Sequence, residues 1–333
     1  MPRHLLSIRD LTRAEVEDLL ALTDKCRRGG PGISGALKGK SVALIFDKPS
    51  TRTRLACEVA CARLGASSVT INGADLQIGR GESLEDSGRV FSQFVDAVCW
   101  RTTEQERLTR FATAASIPVI NMLSDFEHPC QILSDLAVLR RRFGQSAKIP
   151  IAFIGDGANN VSHSWLMAAA RLSLDLRIAA PQGYEPRPDI LENAREEAAR
   201  TGATIMITND PIKAARGARC LYSDVWVSMG QDGERESRVA KFRGYQINSG
   251  MLSVAAADAV VMHCLPAHRG EEITSEVMDG PQSIVFEQAQ GRLYNAMAVL
   301  LWSSRERAEK GKSAAGKPGK KHKKKNKKGG KRK

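Results

Sequence analysis

The chain has no long hydrophobic run. None of its apolar stretches approaches the roughly 20 residues that a bilayer-spanning helix needs, so no membrane insertion is expected. Charges interrupt the N-terminal MPRHLLSIRDLTRAEVEDLL throughout, leaving no signal-peptide core there. A cysteine framework is missing too. Seven cysteines (Cys26, Cys57, Cys61, Cys99, Cys130, Cys220, Cys264) are an odd number without framework spacing, and several lie in apolar stretches. The expectation is a cytoplasmic protein with reduced, buried thiols. Cys57 and Cys61 stand one helical turn apart, but two ligands alone make a poor metal site, and they read as core. No repeat of fixed period is present. Acidic residues are missing from the last 23 positions, GKSAAGKPGKKHKKKNKKGGKRK, which hold twelve Lys or Arg. Thirteen net positive charges less these twelve leave +1 for residues 1–310. Such a run repels itself and has nothing to form a core. Residues 311–333 are therefore expected to be a disordered basic tail, able at most to make weak, salt-dependent contacts with nucleic acid or anionic surfaces.

What is present is a chain of 333 residues, 42% apolar and 26% charged, which is long enough for two ordinary domains. Helix and strand patterns alternate. A helix is expected over Arg13 to Arg27, capped by Thr12 with Glu15 as its reciprocal partner. Strands are expected at Ser41 to Phe46, Ser68 to Ile71, Ala97 to Trp100 and Pro118 to Asn121, then an amphipathic helix over Pro129 to Phe143 ending at Gly144. The alternation restarts with KIPIAFIGD and a helix through His163 to Leu172. DLRIAAP, a helix near Ile190 to Thr201, ATIMITN, CLYSDVW, AVVMHCLPAHRG and SIVFEQ follow, before a last helix from Leu293 to about Arg307. This predicts an α/β protein of two doubly wound parallel-sheet domains joined by interdomain helices. Six polar clusters, FDKPSTRT, WRT, NMLSDFEHPCQ, GDGANN, DVWVSMG and HCLPAHRG, fall at strand ends, where open parallel sheets bind ligands. One large cleft between the domains is the implication.

The most informative stretch is Ser50-Thr51-Arg52-Thr53-Arg54. It follows the apolar run Val42 to Phe46 and opens a helix on which Leu55, Ala56, Val59, Ala60 and Leu64 recur, with Gly65 as the stop. The first turn of a helix has unpaired N–H groups and the positive end of the helix dipole. Hydroxyls and a forked guanidinium added there make an oxyanion pocket, most simply for phosphate. A helix cap needs one hydroxyl and no Arg52, so capping alone leaves most of the cluster unexplained.

Ser50-Thr51-Arg52-Thr53, His128-Pro129-Cys130-Gln131, Asp224-Val225-Trp226-Val227-Ser228-Met229-Gly230 and His263-Cys264-Leu265-Pro266-Ala267-His268-Arg269-Gly270 occur in that order. Over residues 3–308 the chain resembles the ornithine carbamoyltransferases of the aspartate/ornithine carbamoyltransferase family. That resemblance implies transfer of a carbamoyl group from carbamoyl phosphate to the δ-amine of L-ornithine, giving citrulline and phosphate, in arginine biosynthesis or catabolism. It implies no cofactor and no metal. Residues 1–143 would bind carbamoyl phosphate, 144–292 ornithine, and 293–310 would form a helix packing back on the first domain. Carbamoyl phosphate would meet Ser50, Thr51, Arg52, Thr53, Arg101, His128, Gln131, the Leu265 carbonyl and Arg292. Gln77 would reach the site of a neighbouring subunit, so a homotrimer, or a multiple of trimers, is implied. Arg101, His128 and the Thr53 hydroxyl would face the developing oxyanion. A protonated His128 would serve best there, although sequence leaves its charge state open. Ornithine would meet Asn160, Asp224, Ser228, Met229 and Cys264, with Cys264 paired to Asp224 near the reacting amine. Arg101, His128, Asp224 and Cys264 are thus the expected catalytic set. The RLACEVACARLG helix departs from the family in having Leu55-Ala56-Cys57 where relatives carry bulkier aromatics, which is expected to alter core packing.

Rival readings are weaker. A catalytic Cys264 thiolate, with His263 or His268 as base, is unnecessary because amine attack on an activated carbamoyl group needs no covalent intermediate. FIGDGANN follows a strand as a dinucleotide site would, but it lacks the third glycine, and a nicotinamide enzyme would leave three motifs unexplained. A paralogue carbamoylating another amine, and a nucleic-acid-associated protein acting through the tail, are the remaining alternatives.

Overall fold

The computed structural model describes residues 2–144, 149–227 and 232–305. The basic tail, Ser228 and Met229 lie outside the described residues. The first half runs α1 (Arg13–Arg28), β1 (Ser41–Phe46), α2 (Thr51–Leu64), β2 (Ser67–Asn72), α3 (Leu84–Phe94), β3 (Ala97–Arg101), α4 (Gln105–Ala114), β4 (Val119–Leu123) and α5 (Pro129–Phe143). The second half runs β5 (Pro150–Ile154), α6 (Asn160–Leu172), β6 (Asp175–Ala179), α7 (Pro188–Thr201), β7 (Thr204–Thr208), the short α8 (Pro211–Ala215), β8 (Cys220–Ser223) and α9 (Arg235–Phe242). It ends with α10 (Ser249–Leu252), β9 (Val260–His263), α11 (Ser275–Met278) and α12 (Val285–Ser303).

The strands form two all-parallel sheets, in the orders β2-β1-β3-β4 and β7-β6-β5-β8-β9. Their central strands are covered on both faces, as near-continuous apolar strands require, whereas the edge strand β2 is largely exposed. Along β1, Val42 and Leu44 face a core shared with α1, α2 and α5, while Ala43 and Ile45 face Leu84, Leu108 and Phe111 of α3 and α4. Along β5, Ile151 and Phe153 pack toward Trp165 of α6, while Ala152 and Ile154 pack toward Ala214, Phe242 and Met251. The expected capping box is formed: Thr12 Oγ1 accepts from the Glu15 N–H and the Glu15 carboxylate accepts from the Thr12 N–H.

Two sequence expectations need correction. SIVFEQ is not a strand. Ser283 makes a single bridge to Val261, and the chain then enters α12 at Val285, well before Leu293. α12 packs on α1, α2, α5 and β9, and Val285, Gly291 and Ala298 are all buried. With so much of its circumference covered, its apolar residues do not form one stripe that pattern alone would read as helix. At Gly291 an added Cβ would stand 2.9 Å from Ser134 Oγ and Val138 Cγ2, so glycine there permits the close approach to α5. The second correction concerns α2. Thr53, Cys57, Ala60, Cys61 and Leu64 form its buried face, whereas Leu55 (58% exposed) and Val59 (39%) point outward. The departure at Leu55 therefore alters a surface, and only Cys57 belongs to the core.

In each sheet the strand order reverses once, between β1 and β3 and between β5 and β8. Parallel sheets leave a crevice at such a switch point. The loops after these four strands converge on one cleft.

Candidate active site

The cleft has a volume of about 790 Å³, and all six polar clusters at strand ends contribute to its lining. Of the residues singled out from sequence, Ser50, Thr51, Arg52, Arg101, His128, Gln131, Asn160, Asp224, Cys264, Leu265 and Arg292 line it. Thr53 is fully buried just behind it and accepts a hydrogen bond from the Arg292 guanidinium. Gln77 is exposed in a turn after β2 and is not among the lining residues.

One end is cationic. β1 hands the chain to α2 through Asp47, whose carboxylate accepts from Trp100 Nε1 (3.2 Å) and pairs with Arg107 (2.8 Å). That fixes where the helix begins. Ser50 occupies the N-cap position in an extended conformation, yet its hydroxyl makes no capping hydrogen bond. The cap explanation for this hydroxyl therefore fails. Arg52 enters from α2, Arg101 from the end of β3 and Arg292 from α12. Burial lowers the pKa of Arg52, and Arg292 lowers it further. Arg101 is pushed down to about 10 by burial, then by Arg292 and Arg52. With Arg292 acting on both Arg52 and Arg101, the three guanidinium groups form a corner that a multiply charged anion would relieve.

Beside this corner, Pro129 starts α5 and its N-cap residue His128 is buried. The His128 N–H donates to Ser164 Oγ (2.9 Å), and its Nδ1 has no hydrogen-bond partner among the described residues. Burial, then Arg292 and Arg101, hold the ring well below the ordinary histidine range. Burial first, and the neighbouring cations second, thus favour a neutral His128 over the imidazolium that would serve best. It still offers a neutral N–H. Gln131, one turn on, donates from Nε2 to Asp135 Oδ1 (2.9 Å), and its buried Oε1 is without a partner among the described residues. Leu265 has φ 59°, a left-handed conformation rare for a branched side chain. Its N–H donates to His263 Nδ1 (2.9 Å), and His263 Nε2 lies 3.1 Å from Glu272 Oε1.

The opposite end is anionic. Asp224 Oδ1 accepts from the Val225 N–H (2.8 Å) and from Cys264 Sγ (2.8 Å), and Oδ2 accepts from Asn159 Nδ2 (3.2 Å). Burial, then the Asp224 charge, raise the Cys264 pKa well above the thiol range. Cys264 is a protonated hydrogen-bond donor, which removes the thiolate nucleophile reading. Asn160 donates from Nδ2 to the Ser124 carbonyl (2.7 Å), tying α6 to the loop after β4.

Several lining residues escaped the sequence reading. Asn159 caps α6, its Oδ1 accepting from the Ser162 N–H (2.7 Å), and its amide nitrogen also steadies Asp224. The only signal was its place in GDGANN. Asp156 and Arg238 form a buried ion pair, and Arg238 also donates to the Trp226 carbonyl (2.7 Å) and lies 4.8 Å over the Tyr184 ring. An added Cβ at Gly157 would stand 2.9 Å from Pro186 Cδ and Tyr184 O, so this glycine serves packing and not a pyrophosphate. Among the described residues one cluster, His268, Glu271 and Glu272, holds metal-ligand atoms within 4.8 Å of one another. Arg235 pairs with Glu271, and Glu272 accepts from the His268 N–H and engages His263.

Two family models divide the chain between them. Residues 3–141 match the carbamoyl-P binding domain of aspartate/ornithine carbamoyltransferase, and residues 147–303 match its Asp/Orn binding domain. The chain belongs to the aspartate/ornithine carbamoyltransferase family. It is 48% identical over 301 residues to the ornithine carbamoyltransferase of Parafrankia sp. (strain EAN1pec), covering 90% of this chain and 95% of that protein. It is 46% identical over 301 residues to that of Rhodococcus opacus (strain B4), with the same coverage. Among solved structures, ornithine carbamoyltransferase from Pyrococcus furiosus superposes with a TM-score of 0.85 at 42% identity, covering 90% of this chain and 96% of that one. The anabolic enzyme from Campylobacter jejuni gives 0.86 at 37% identity, covering 90% and 98%. The boundary between the family's two domain models falls where α5 ends, and loops from both sheets line the carbamoyltransferase cleft. Its cationic corner comes from the first model's span, except for Arg292, which the second contributes from α12.

Proposed function

We propose that this protein is an ornithine carbamoyltransferase, moving the carbamoyl group of carbamoyl phosphate to the δ-amine of L-ornithine. The observation that carries this reading is the pairing, in one cleft, of a three-guanidinium corner with a carboxylate held by a protonated thiol. Carbamoyl phosphate would place its phosphate on Ser50, Thr51, Arg52 and Thr53, with Arg101 and Arg292 closing over it. Its carbonyl oxygen would face Arg101, the neutral His128 N–H and the Thr53 hydroxyl, donors fixed before reaction. Its amide would meet Gln131 and the Leu265 carbonyl. The neutral δ-amine attacks the carbamoyl carbon; the N–C bond forms, the C–O bond to phosphate breaks, and phosphate leaves with the electron pair. One amine proton ends on the released phosphate. Asp224 and Cys264 hold the amine end, with Asn160, Ser228 and Met229 completing the ornithine contacts.

The same reading assigns residues 1–143 to carbamoyl phosphate and 144–292 to ornithine, with the remainder of α12 packing back on the first domain. It also assigns a cytoplasmic location and a homotrimer in which Gln77 serves a neighbouring subunit. An outward apolar face supports the trimer: Leu55, Val59 and Val69 (50% exposed) lie on adjacent α2 and the edge strand β2, the strand that leads to Gln77. No described helix is long and apolar enough to cross a membrane. The test is citrulline formation with L-ornithine beside aspartate, putrescine and N-acetylornithine. Strong preference for ornithine is expected; preference for another amine would overturn the assignment of Asp224 and Asn160. A chain cut after Lys310 is expected to turn over as the full chain does.

A further inference from the structure

Behind the cleft runs a chain of buried hydrogen bonds that no step of the reaction described above uses. It begins at the His263 backbone N–H, a group that can only donate, which lies 2.8 Å from Gln288 Oε1. Since that contact uses the Gln288 oxygen, its amide nitrogen must point the other way, and Gln288 Nε2 donates to Tyr222 Oη (3.2 Å). The Tyr222 oxygen is then an acceptor on that side, and its single proton goes to Asp135 Oδ2 (2.7 Å). Asp135 Oδ1 accepts from Gln131 Nε2 (2.9 Å). Each of these side chains is at most 1% exposed, so water is not available to reverse any link. The direction of each bond as far as Asp135 is dictated by the one before it, and the last link is dictated once Asp135 is ionised.

We propose that Asp135 is a positioning residue that fixes which end of the Gln131 amide faces the cleft, and thereby makes the site selective for a carbamoyl donor over an acyl phosphate without an N–H₂ group. Burial raises the Asp135 pKa to about 7; above that pH its ionised carboxylate only accepts, so Gln131 must turn its N–H₂ toward Asp135 and its oxygen toward the substrate. That oxygen, Oε1, is buried and without a partner among the described residues. It is an acceptor aimed where carbamoyl phosphate carries an amide and acetyl phosphate carries a methyl group. A buried acceptor left facing a methyl group is penalised, which is how a polar site rejects an isostere that lacks a donor. The same chain continues from His263 Nδ1 to the Leu265 N–H, so both acceptors assigned to the carbamoyl amide hang from one network. The inference rests on the carbamoyltransferase reading and deepens it.

The test compares acetyl phosphate, as a competitive inhibitor, with carbamoyl phosphate in the full-length enzyme, well above the pH of about 7 at which Asp135 ionises. The readout is the ratio of the acetyl phosphate inhibition constant to the carbamoyl phosphate KM, which cancels any general weakening of phosphate binding. In the unmodified enzyme this ratio is expected to be at least about tenfold in favour of carbamoyl phosphate; equal affinities would overturn the proposal without any variant having to fold. In Asp135→Asn the new amide keeps its oxygen on Tyr222 and turns its N–H₂ to Gln131, which flips. The ratio should then collapse toward one, with a raised KM for carbamoyl phosphate. Adding Gln131→Glu to Asp135→Asn restores an acceptor on both sides of position 131, and the ratio should recover. A purely structural role for Asp135 predicts no change in the ratio, and further loss in the double variant; either result would overturn the proposal. If the unmodified enzyme makes no citrulline at all, the carbamoyltransferase reading fails, and this inference falls with it.

Discussion

The two ends of the cleft both lie at the carboxyl ends of parallel strands, but their polar groups stand in opposite conditions. At the cationic end, like charges crowd: Arg52, Arg101 and Arg292 act on one another, and Arg52 Nε, His128 Nδ1 and Gln131 Oε1 have no partner among the described residues. At the anionic end Asp224 already accepts from Val225, Cys264 and Asn159. One end gains from a ligand what the protein withholds from it. The other keeps its charge but already has it solvated by the protein's own neutral donors, and offers a ligand less. An anion binding first would therefore gain most, and its arrival would lower the cost of gathering the second half around it. We accordingly propose ordered binding, carbamoyl phosphate before ornithine.

Removing one guanidinium should break this contrast most sharply. Arg52→Ala is expected to lower kcat/KM for carbamoyl phosphate by about 10³-fold, while the thermal midpoint of the free protein stays level or rises, since a repelling charge has gone. Steady-state kinetics and a melting curve on the same variant check both; a lower midpoint with intact kinetics would mean the corner is structural. Asp224→Ala should act on the other end alone, raising the ornithine KM by about 10–100-fold. Carbamoyl phosphate affinity, measured by equilibrium binding, should hardly change. Equal loss of both substrates would show that the two ends are not separable.

How much of this contrast was legible in the sequence follows from what is local. The cationic corner was readable at Ser50 to Thr53 because strand, turn and hydroxyl-rich helix start are contiguous, and a helix N-terminus has the same chemistry in any fold. The Asp156–Arg238 pair was not, since its members lie 82 residues apart and meet only when α9 packs near β5. The charge state of His128 was also out of reach, because it depends on burial and on Arg292, which arrives from α12. Local pattern misled at α2, where apolar residues on two faces of one helix look like a single core stripe, although Leu55 and Val59 face outward. It misled again at SIVFEQ, where β-branched residues suggested a strand but tertiary packing made a helix.

A third prediction sharpens the contrast through pH. The loop bearing His128 is anchored by Glu127, which accepts from Ser7, the Ile8 N–H (3.3 Å) and Ser164 (3.2 Å). Burial raises the Glu127 pKa to about 7 in spite of these donors. The folded protein therefore binds this proton more tightly than the unfolded chain does. Its contribution to stability is fully present below about pH 4.5 and is lost as pH rises to about 7. Integrated over that window the effect is about 3 kcal/mol at most. Glu127→Gln should flatten the slope of thermal midpoint against pH between these limits. An unchanged slope would mean that Glu127 titrates normally.

The smallest effect is expected at Cys264, and it separates a hydrogen-bond donor from a nucleophile. The thiol faces Asp224 at 2.8 Å and is held protonated by burial and by that charge, so its role in the contrast is to help satisfy the carboxylate. Cys264→Ser keeps a donor of similar size in the same place. Its hydroxyl makes a stronger hydrogen bond than a thiol, which should tie Asp224 more firmly and raise the ornithine KM by less than about tenfold. A covalent mechanism requires more: serine without an activating base would reduce turnover by orders of magnitude. Loss of kcat at saturating ornithine would return the thiol to the reacting centre. A change confined to the ornithine KM would leave Cys264 as part of the reason Asp224 is already satisfied before any substrate arrives.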